Sequence, residues 1–301
     1  MARPAIGFAG LGLMGAPMAA NLLAAGWTVT GWNRSATALD EFAALGGTAV
    51  TDTAGLAGAD VVIFMLPDLP VIVDAAGPLF QAWRADPPRP GTVVVVMSSV
   101  SPQRIHDFAA LVAETSAGRA SVVDAPVSGG TVGAAAGTLA IMVGGDRPDV
   151  DRVVPLLEDM GTTVRRMGPL GAGSLAKACN QLLVGTTTAA LAEAAELAER
   201  AGLDVGALFD VLGGGLAASR VLEVVGPRLL AKDYTPTGPA KFMLKDLGFV
   251  CESARAVGAA VPMAEAGNVL YGHLVDQGLG AQDLAVVRET IARLGAEKGQ
   301  P

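Results

Sequence analysis

The chain has 301 residues, of which 51% are hydrophobic and 17% are charged, and its formal net charge at pH 7 is −8. A chain of this length predicts two domains rather than one. The acidic balance excludes an extended nucleic-acid surface, because binding many phosphates needs basic patches.

The sequence also carries no pattern typical of a membrane or metalloprotein. No uninterrupted apolar run reaches the ~20 residues of a membrane span. The first strand pattern begins at Ile6, which is expected to leave no room for a signal peptide. The two cysteines and two histidines lie in no metal-binding or redox spacing: Cys179, Cys251, His106 and His273. We therefore expect a cytoplasmic protein that has no metal and binds neither nucleic acid nor membrane.

The N-terminal stretch carries a dinucleotide-binding pattern. An apolar run at 6–9 predicts a buried strand, glycines at 10, 12 and 15 follow in G-x-G-x-x-G spacing, and an Ala/Leu-rich helix is predicted over 17–25. A second apolar run, 27–32, completes a strand–turn–helix–strand unit. The glycines would allow a tight turn, close backbone approach to a pyrophosphate, and close helix packing, with the pyrophosphate at the helix N-terminus. The pattern predicts an NAD(P)-binding Rossmann domain.

The residues after the second strand indicate which dinucleotide binds. Asn33, Arg34 and Ser35 stand there, and no carboxylate appears before Asp40. A carboxylate would bind a ribose 2′-hydroxyl, whereas a guanidinium pairs with the oxygens of a 2′-phosphate. The sequence therefore favours NADPH over NADH, with a solvated loop arginine as the alternative.

Strand and helix patterns continue to alternate up to about residue 170. Apolar runs at 60–66 and 92–97 are closed by Pro67-Asp68 and by Ser98-Ser99. Such runs predict a doubly wound, mainly parallel sheet that is covered on both faces. Ligands bind beyond the carboxyl ends of these strands, so the loops at 65–68 and 98–99 are expected to line the cofactor. Ordinary strand–helix turns with a capping serine would fit the same pattern.

A stretch of small residues, 125–145, follows the next strand pattern. It reads APVSGGTVGAAAGTLAIMVGG, and strand character returns at 139–143. Backbone N–H groups and the hydroxyl of Ser128 could approach a ligand closely there, and such donors suit a carboxylate. A tight structural crossover is the alternative.

The composition changes at about residue 170. From 172 to 201 the chain has no proline and two glycines, at 173 and 185, which predicts a helix of roughly 30 residues. Further helices are predicted at 204–213, 218–231, 240–257, 261–276 and 281–295. We expect an α/β Rossmann domain over 1–170 and an all-α domain over 171–301, joined by the long interdomain helix.

The start of the long helix carries a candidate proton donor. Lys177 is one turn from Asn180 and Gln181, so the three side chains project from neighbouring positions. A lysine desolvated in this Ala-rich setting could exchange a proton near neutral pH. A surface lysine would give the same local sequence.

Four motifs in the same order together resemble the β-hydroxyacid dehydrogenase family. This family includes 3-hydroxyisobutyrate dehydrogenase, tartronate semialdehyde reductase and, more distantly, 6-phosphogluconate dehydrogenase. The resemblance covers nearly the whole chain and rests on GFAGLGLMGAPMAANLLAAG, DAPVSGGTVGAAAGTL, GAGSLAKACNQ and Lys245-Asp246-Leu247.

The resemblance implies a role for each candidate site residue. Lys177 would be the catalytic acid/base, while Ser128, Gly129, Gly130, Asn180 and Gln181 would bind substrate. Ser99 would contact the nicotinamide side, and Lys245 would reach the cofactor from the helical domain. The expected cofactor contacts are Gly10, Gly12, Leu13, Met14, Gly15, Asn33, Arg34, Ser35, Met65, Leu66, Pro67, Ser99 and Lys245.

The substrate class follows from the same resemblance. The Asn-Gln pair and the motifs MLPDLP, MSSVSP and GGGLAASRVLE are similar to tartronate semialdehyde reductases, whereas many family members have a second Asn in place of Gln181. A 3-hydroxyisobutyrate dehydrogenase, a glyoxylate or succinic semialdehyde reductase, an imine reductase and a non-catalytic NADPH-binding protein are the alternatives, although imine reductases usually lack the lysine. The apolar helical half also suggests a homodimer or homotetramer.

Overall fold

The computed structural model describes residues 3–298, with a sheet in its first part and helices throughout. Contacts between residues divide the chain into two compact units, one ending at Lys177 and the other beginning at Ala178. The domain boundary expected at 170/171 remains a prediction, and the terminal residues of both predicted domains lie outside the described part. No helix among the described residues is long and apolar enough to cross a membrane.

The sheet of the first unit has nine strands in the described residues. The strands are β1 (Ile6–Ala9), β2 (Val29–Trp32), β3 (Thr48–Val50), β4 (Val61–Phe64), β5 (Thr92–Val96), β6 (Ala120–Asp124), β7 (Val127–Ser128), β8 (Ala140–Gly144) and β9 (Thr163–Gly168). Their order in the sheet is β3-β2-β1-β4-β5-β6-β8-β7, and β9 also pairs with β8. Strands β1 to β6 run parallel, while β8 is antiparallel to β6 and β7.

The central strands are buried on both faces. Along β4, Val61 and Ile63 join one hydrophobic cluster, whereas Val62 and Phe64 join a second. Successive side chains of a strand point to opposite faces, so each apolar run contributes to two layers of core.

The helices of this unit are α1 (Gly15–Ala24), α2 (Ala36–Ala44), α3 (Leu69–Ala75), α4 (Gly77–Ala85), α5 (Arg104–Thr115), α6 (Gly130–Ala136) and α7 (Arg147–Glu158).

The long helix α8 (Ala172–Arg200) begins in the first unit and continues into the second. The helices that follow are α9 (Val205–Gly213), α10 (Arg220–Ala231), α11 (Lys241–Val257), α12 (Pro262–Asp276) and α13 (Val287–Lys298). Gly185, in the middle of α8, lies where α11 crosses closely: a Cβ there would lie 2.7 Å from the sulfur of Met243. The buried Tyr271 of α12 donates a hydrogen bond to the carbonyl of Gly185 at 3.0 Å.

The architecture predicted from sequence is confirmed, with local differences. The stretch at 125–145 contains the two-residue strand β7 and the short helix α6 rather than a continuous loop before its strand. The last predicted helix, 281–295, begins instead with a 3₁₀ turn at Leu284–Val286, where Asp283 accepts a hydrogen bond from the N–H of Ala285. Strand β3 was not predicted, because its three residues follow two glycines and are largely exposed.

Candidate active site

The predicted cofactor and substrate loops of the first unit follow neighbouring parallel strands. The glycine loop follows β1, residues 65–67 follow β4, Ser99 follows β5 and Ser128 lies just beyond β6. Because β1, β4, β5 and β6 are adjacent and parallel, these segments all leave the same edge of the sheet. That edge, at the carboxyl ends of the strands, is where doubly wound sheets bind ligands.

The three glycines of the N-terminal loop have different surroundings. A Cβ at Gly10, which has φ of 107°, would lie 2.2 Å from the carbonyl oxygen of Met65. A Cβ at Gly15 would lie 1.8 Å from the carbonyl oxygen of Gly10, so both positions exclude a side chain. At Gly12, in contrast, a Cβ would meet no described atom within 4 Å. The first and third glycines therefore permit the turn, whereas the surface of the loop beside Gly12 is open where a side chain would point.

This open surface fits a dinucleotide. Gly12 and Leu13 are exposed immediately before α1, and the side chain of Met14 at the N-cap makes no capping hydrogen bond. N–H groups at a helix start favour an anion such as a pyrophosphate. In α1 the N–H of Ala16 already donates to the carbonyl of Gly12 and Pro17 has no N–H, so the donors for an anion belong to the residues of the loop before Ala16. The amide oxygen of Asn33 accepts a hydrogen bond from the N–H of Leu11 at 3.1 Å, which ties this loop to the end of β2.

The loops after β2 and β4 present further predicted cofactor contacts. Arg34 and Ser35 are exposed just before α2, with Ser35 at its N-cap. The buried hydroxyl of Ser98 accepts a hydrogen bond from the N–H of Leu66 at 3.0 Å and so holds the end of β4 against the end of β5. Met65 and Leu66 are half-buried, whereas Pro67 is exposed.

The predicted substrate loop has a backbone that suits glycine. Ser128 is half-buried, and the exposed Gly129 and Gly130 have φ values of 138° and 62°. Side-chain-bearing residues rarely adopt these values, so the pair can turn the chain sharply into α6. Asn21 of α1 donates a hydrogen bond to the carbonyl of Ala134 at 2.8 Å and thereby joins α6 to the helix that follows the glycine loop.

The start of the long helix is attached to the end of β6 by a buried carboxylate. Asp124 is fully buried, and its two oxygens accept hydrogen bonds from the N–H groups of Gly171, at 2.8 Å, and Ser174, at 2.5 Å. Burial raises the pKa of this carboxyl above its ordinary value of 3.8, and the two N–H groups lower it by less. The carboxylate satisfies backbone donors that the first turn of a helix cannot satisfy itself.

Lys177 lies one turn beyond Ser174 on α8, with only 9% of its surface exposed. Asn180 and Gln181 occupy the next turn of the same helix and are half-buried. The amide of Asn180 donates to the side-chain oxygen of Gln181 at 3.0 Å. A buried lysine with amide groups one turn away is an arrangement that can donate a proton to an oxygen and orient it.

Within the second unit, Gln181 is part of a polar chain. Its amide donates to the carboxylate of Asp246 at 2.6 Å, and the ammonium of Lys245 lies 3.6 Å from the other carboxylate oxygen. Lys245 also lies over the rings of Phe242 and Phe249, at 5.5 Å from each centroid. Two predicted motifs that are far apart in sequence thus meet, whereas the predicted contact of Lys245 with the cofactor remains a prediction.

Sequence reasoning missed three residues that organise these segments. Ser98, Asp124 and Asp246 were quoted only as parts of motifs, yet each is buried and hydrogen-bonded to a predicted site segment. A polar residue at the end of an otherwise apolar strand, as at Ser98 and Asp124, is the signal that could have identified two of them. In the described residues, no group of three or more His, Cys, Asp or Glu is placed to hold a metal ion.

The fold and this edge of the sheet define an oxidoreductase that uses a nicotinamide dinucleotide. Residues 5–168 match the family model described as the NAD-binding domain of 6-phosphogluconate dehydrogenase. Residues 171–290 match the model described as NAD-binding of NADP-dependent 3-hydroxyisobutyrate dehydrogenase. The chain belongs to the β-hydroxyacid dehydrogenase family, and it is an NAD(P)-dependent enzyme that acts on small hydroxy acids.

Similar proteins span nearly the same length. The NAD-dependent L-serine dehydrogenase of Pseudomonas aeruginosa is 36% identical over 94% of this chain and 96% of its own. The 2-hydroxy-3-oxopropionate reductase of Escherichia coli is 37% identical over 85% of this chain and 86% of its own. The structure of 3-hydroxyisobutyrate dehydrogenase with L-serine from Mycobacterium tuberculosis has a TM-score of 0.82 at 34% identity, covering 96% of this chain and 99% of that one.

The raised pKa of Asp124 predicts how stability depends on pH. Between the unfolded pKa, near 3.8, and the higher folded pKa, the folded state binds more protons than the unfolded state. The contribution of this group to the free energy of unfolding therefore falls as pH rises through that interval, and it is constant above it. In Asp124→Asn this fall should be absent, which urea unfolding of both proteins at a series of mildly acidic pH values would measure. A free energy of unfolding of the wild type that rises with pH, relative to that of the variant, would contradict the direction of the pKa shift.

Proposed function

We propose that this enzyme interconverts a small 3-hydroxy acid and its semialdehyde with NADPH as the preferred cofactor, and that tartronate semialdehyde is the substrate. The observation that carries the reaction class is the buried Lys177 on the helix attached to the strand that leads into the Ser128–Gly130 loop. The Asn-Gln pair after this lysine and the similarity to the E. coli reductase favour tartronate semialdehyde. Similarity to an L-serine dehydrogenase makes L-serine, itself a 3-hydroxy acid, the second candidate.

In this proposal the first unit holds the cofactor and the carboxylate of the substrate. The open surface at Gly12 and the start of α1 would receive the pyrophosphate, and Arg34 would receive the 2′-phosphate. The hydroxyl of Ser128 and the N–H groups of Gly129 and Gly130 donate hydrogen bonds to the substrate carboxylate. The bound nicotinamide supplies or accepts the hydride.

Lys177 handles the proton. In the reducing direction its ammonium donates a hydrogen bond to the carbonyl oxygen, stabilises the negative charge that develops there, and then transfers a proton to that oxygen. In the oxidising direction the neutral amine accepts the hydroxyl proton. Asn180 and Gln181 orient the reacting oxygen, and the hydrogen bond from Gln181 to Asp246 fixes the direction of the Gln181 amide. Holding the carboxylate and the reacting oxygen at once can lower the barrier by several kcal/mol.

A substrate panel tests the proposed substrate and cofactor together. Oxidation of NADPH, with NADH in parallel, is measured against tartronate semialdehyde, glyoxylate, succinic semialdehyde and methylmalonate semialdehyde, and reduction of NADP⁺ and NAD⁺ against L-serine. We expect the highest kcat/KM with NADPH and tartronate semialdehyde. A higher kcat/KM with L-serine and NAD⁺ would replace both parts of the proposal. Binding of NADPH without turnover of any compound, cyclic imines included, would indicate a non-catalytic cofactor-binding protein.

The proton-transfer role predicts the effect of removing the lysine. Lys177→Ala should lower kcat by about 10²- to 10⁴-fold, the usual worth of a general acid, without weakening NADPH binding. The matched control is Lys232→Gln, which alters a half-exposed lysine paired with Glu199 and should leave kcat unchanged. Steady-state kinetics and NADPH fluorescence titration measure the two effects. Turnover retained in Lys177→Ala would exclude the role.

The cofactor preference predicts a selective effect at Arg34. Hydrogen bonds to charged groups contribute about 1.5–3 kcal/mol, so Arg34→Ala should lower kcat/KM for NADPH by about tenfold or more. The value for NADH should change little, because that cofactor has a hydroxyl in place of the 2′-phosphate. Arg147→Ala removes another exposed arginine of the same unit and serves as the control. Equal losses with both cofactors would show that Arg34 does not recognise the 2′-phosphate.

A further inference from the structure

We propose that Asp124 is a positioning residue for the reaction. Its buried carboxylate fixes the position and orientation of the first turn of α8, and through that turn it places the ammonium of Lys177. This inference rests on the proposed role of Lys177. Asp124 makes no contact with the reacting atoms in this proposal, and it acts only through the backbone of the helix.

The hydrogen bonds of Asp124 fix two separate points of the helix start. One oxygen binds the N–H of Gly171, just before the helix, and the other binds the N–H of Ser174, three residues later. A carboxylate held at both oxygens by backbone groups restrains both rotation and sliding of the turn. Lys177 follows Ser174 by three residues, less than one turn of 3.6, so little backbone separates the restraint from the lysine.

Two glycines allow the carboxylate and the helix to approach so closely. A Cβ at Gly173 would lie 2.3 Å from the carbonyl oxygen of Met142 and 2.7 Å from that of Asp124. A Cβ at Gly144, on the neighbouring strand β8, would lie 2.3 Å from a carboxylate oxygen of Asp124 and 2.7 Å from the backbone nitrogen of Gly173. The helix therefore lies directly on the backbone of β6 and β8, and its position is set by that contact and by the carboxylate.

An ordinary cap would not need this arrangement. In the described residues, the side chains that cap α3, α9 and α10 belong to the residue immediately before each helix and are exposed or half-buried, as Asp204 is before α9. Asp124 instead lies 47 residues before Gly171, and its carboxylate loses its hydration completely. Such a buried charge is costly unless it is hydrogen-bonded, so the site favours one geometry strongly over alternatives.

The test compares Asp124→Asn, Gly173→Ala and the double variant with the wild type, using the best substrate of the panel. An asparagine presents one oxygen and one NH₂ group to two N–H donors, so one backbone group loses its acceptor. The added methyl of Gly173→Ala meets the backbone of β6 and β8 and displaces the same turn away from them. Because small displacements of a catalytic group can cost up to about 10²-fold, each variant should lower kcat by about 10- to 100-fold. The Kd of NADPH should change less than about threefold, since the glycine loop lies three strands away from β6 in the sheet.

Two measurements separate positioning from a loss of folded protein. The deuterium isotope effect on kcat, with the transferred hydrogen of the cofactor labelled, should increase in both variants because the chemical step becomes slower. A smaller folded fraction lowers kcat without changing the isotope effect. The two changes should also be non-additive in the double variant, since both release the same turn. Ser121→Ala, on the same strand, is the matched control, because its hydroxyl is buried and has no hydrogen-bond partner among the described residues.

The outcomes distinguish this inference from the proposed function. If Lys177→Ala lowers kcat as expected but Asp124→Asn and Gly173→Ala keep wild-type kcat and isotope effects, the positioning role is overturned and the proposed function stands. If Lys177→Ala keeps its turnover, the proposed function fails first. If Asp124→Asn no longer binds NADPH, the kcat and isotope effect of Gly173→Ala alone test the positioning role. Loss of NADPH binding in both variants would overturn the inference, because the carboxylate would then support the whole unit rather than the lysine.

Discussion

The attachment of a helix to a strand by one buried carboxylate is the constraint on which the first unit depends. Asp124 ends β6, and Gly171 and Ser174 begin α8, so a residue of the sheet fixes the start of a helix of 29 residues. The cost of dehydrating the carboxylate is visible in its raised pKa. The two N–H groups offset part of this cost, because they would otherwise be buried without acceptors. The carboxylate and the backbone N–H groups at the helix start therefore satisfy each other's hydrogen bonds.

Glycine serves one physical purpose at several crossing points of this fold. Gly15 lies against the carbonyl of Gly10, Gly173 against that of Met142, and Gly185 against the side chain of Met243. In each case a helix lies closer to its neighbour than a methyl group would allow. Gly12 differs, because its surroundings are open on the side where a Cβ would point. The same residue type thus makes close packing possible at most of these positions and leaves ligand space at one.

Much of this arrangement could be predicted from the sequence, since it depends on local periodicity. The apolar runs at β1, β4 and β5 and the uninterrupted helical composition of α8 are local signals, and each element formed where it was predicted, within a few residues. The links between elements depend on residues that are distant in sequence and meet only in the fold. Asp124 with Gly171, Ser98 with Leu66, and Gln181 with Asp246 are of this kind. A single sequence gives no direct signal for such pairs.

The order of the strands also separates the residue proposed to select the cofactor from the residues proposed to bind the hydroxy acid. Arg34 follows β2, whereas Ser128 and the attachment of α8 belong to β6, and the order β2-β1-β4-β5-β6 places four strand spacings between them. At about 4.8 Å per spacing, this is a separation of roughly 19 Å along the sheet edge. Substitutions at such a distance that share no partner act nearly independently. In the proposed site, a substitution at Arg34 that changes the preference between NAD and NADP would therefore leave the groups proposed to hold the substrate unaltered.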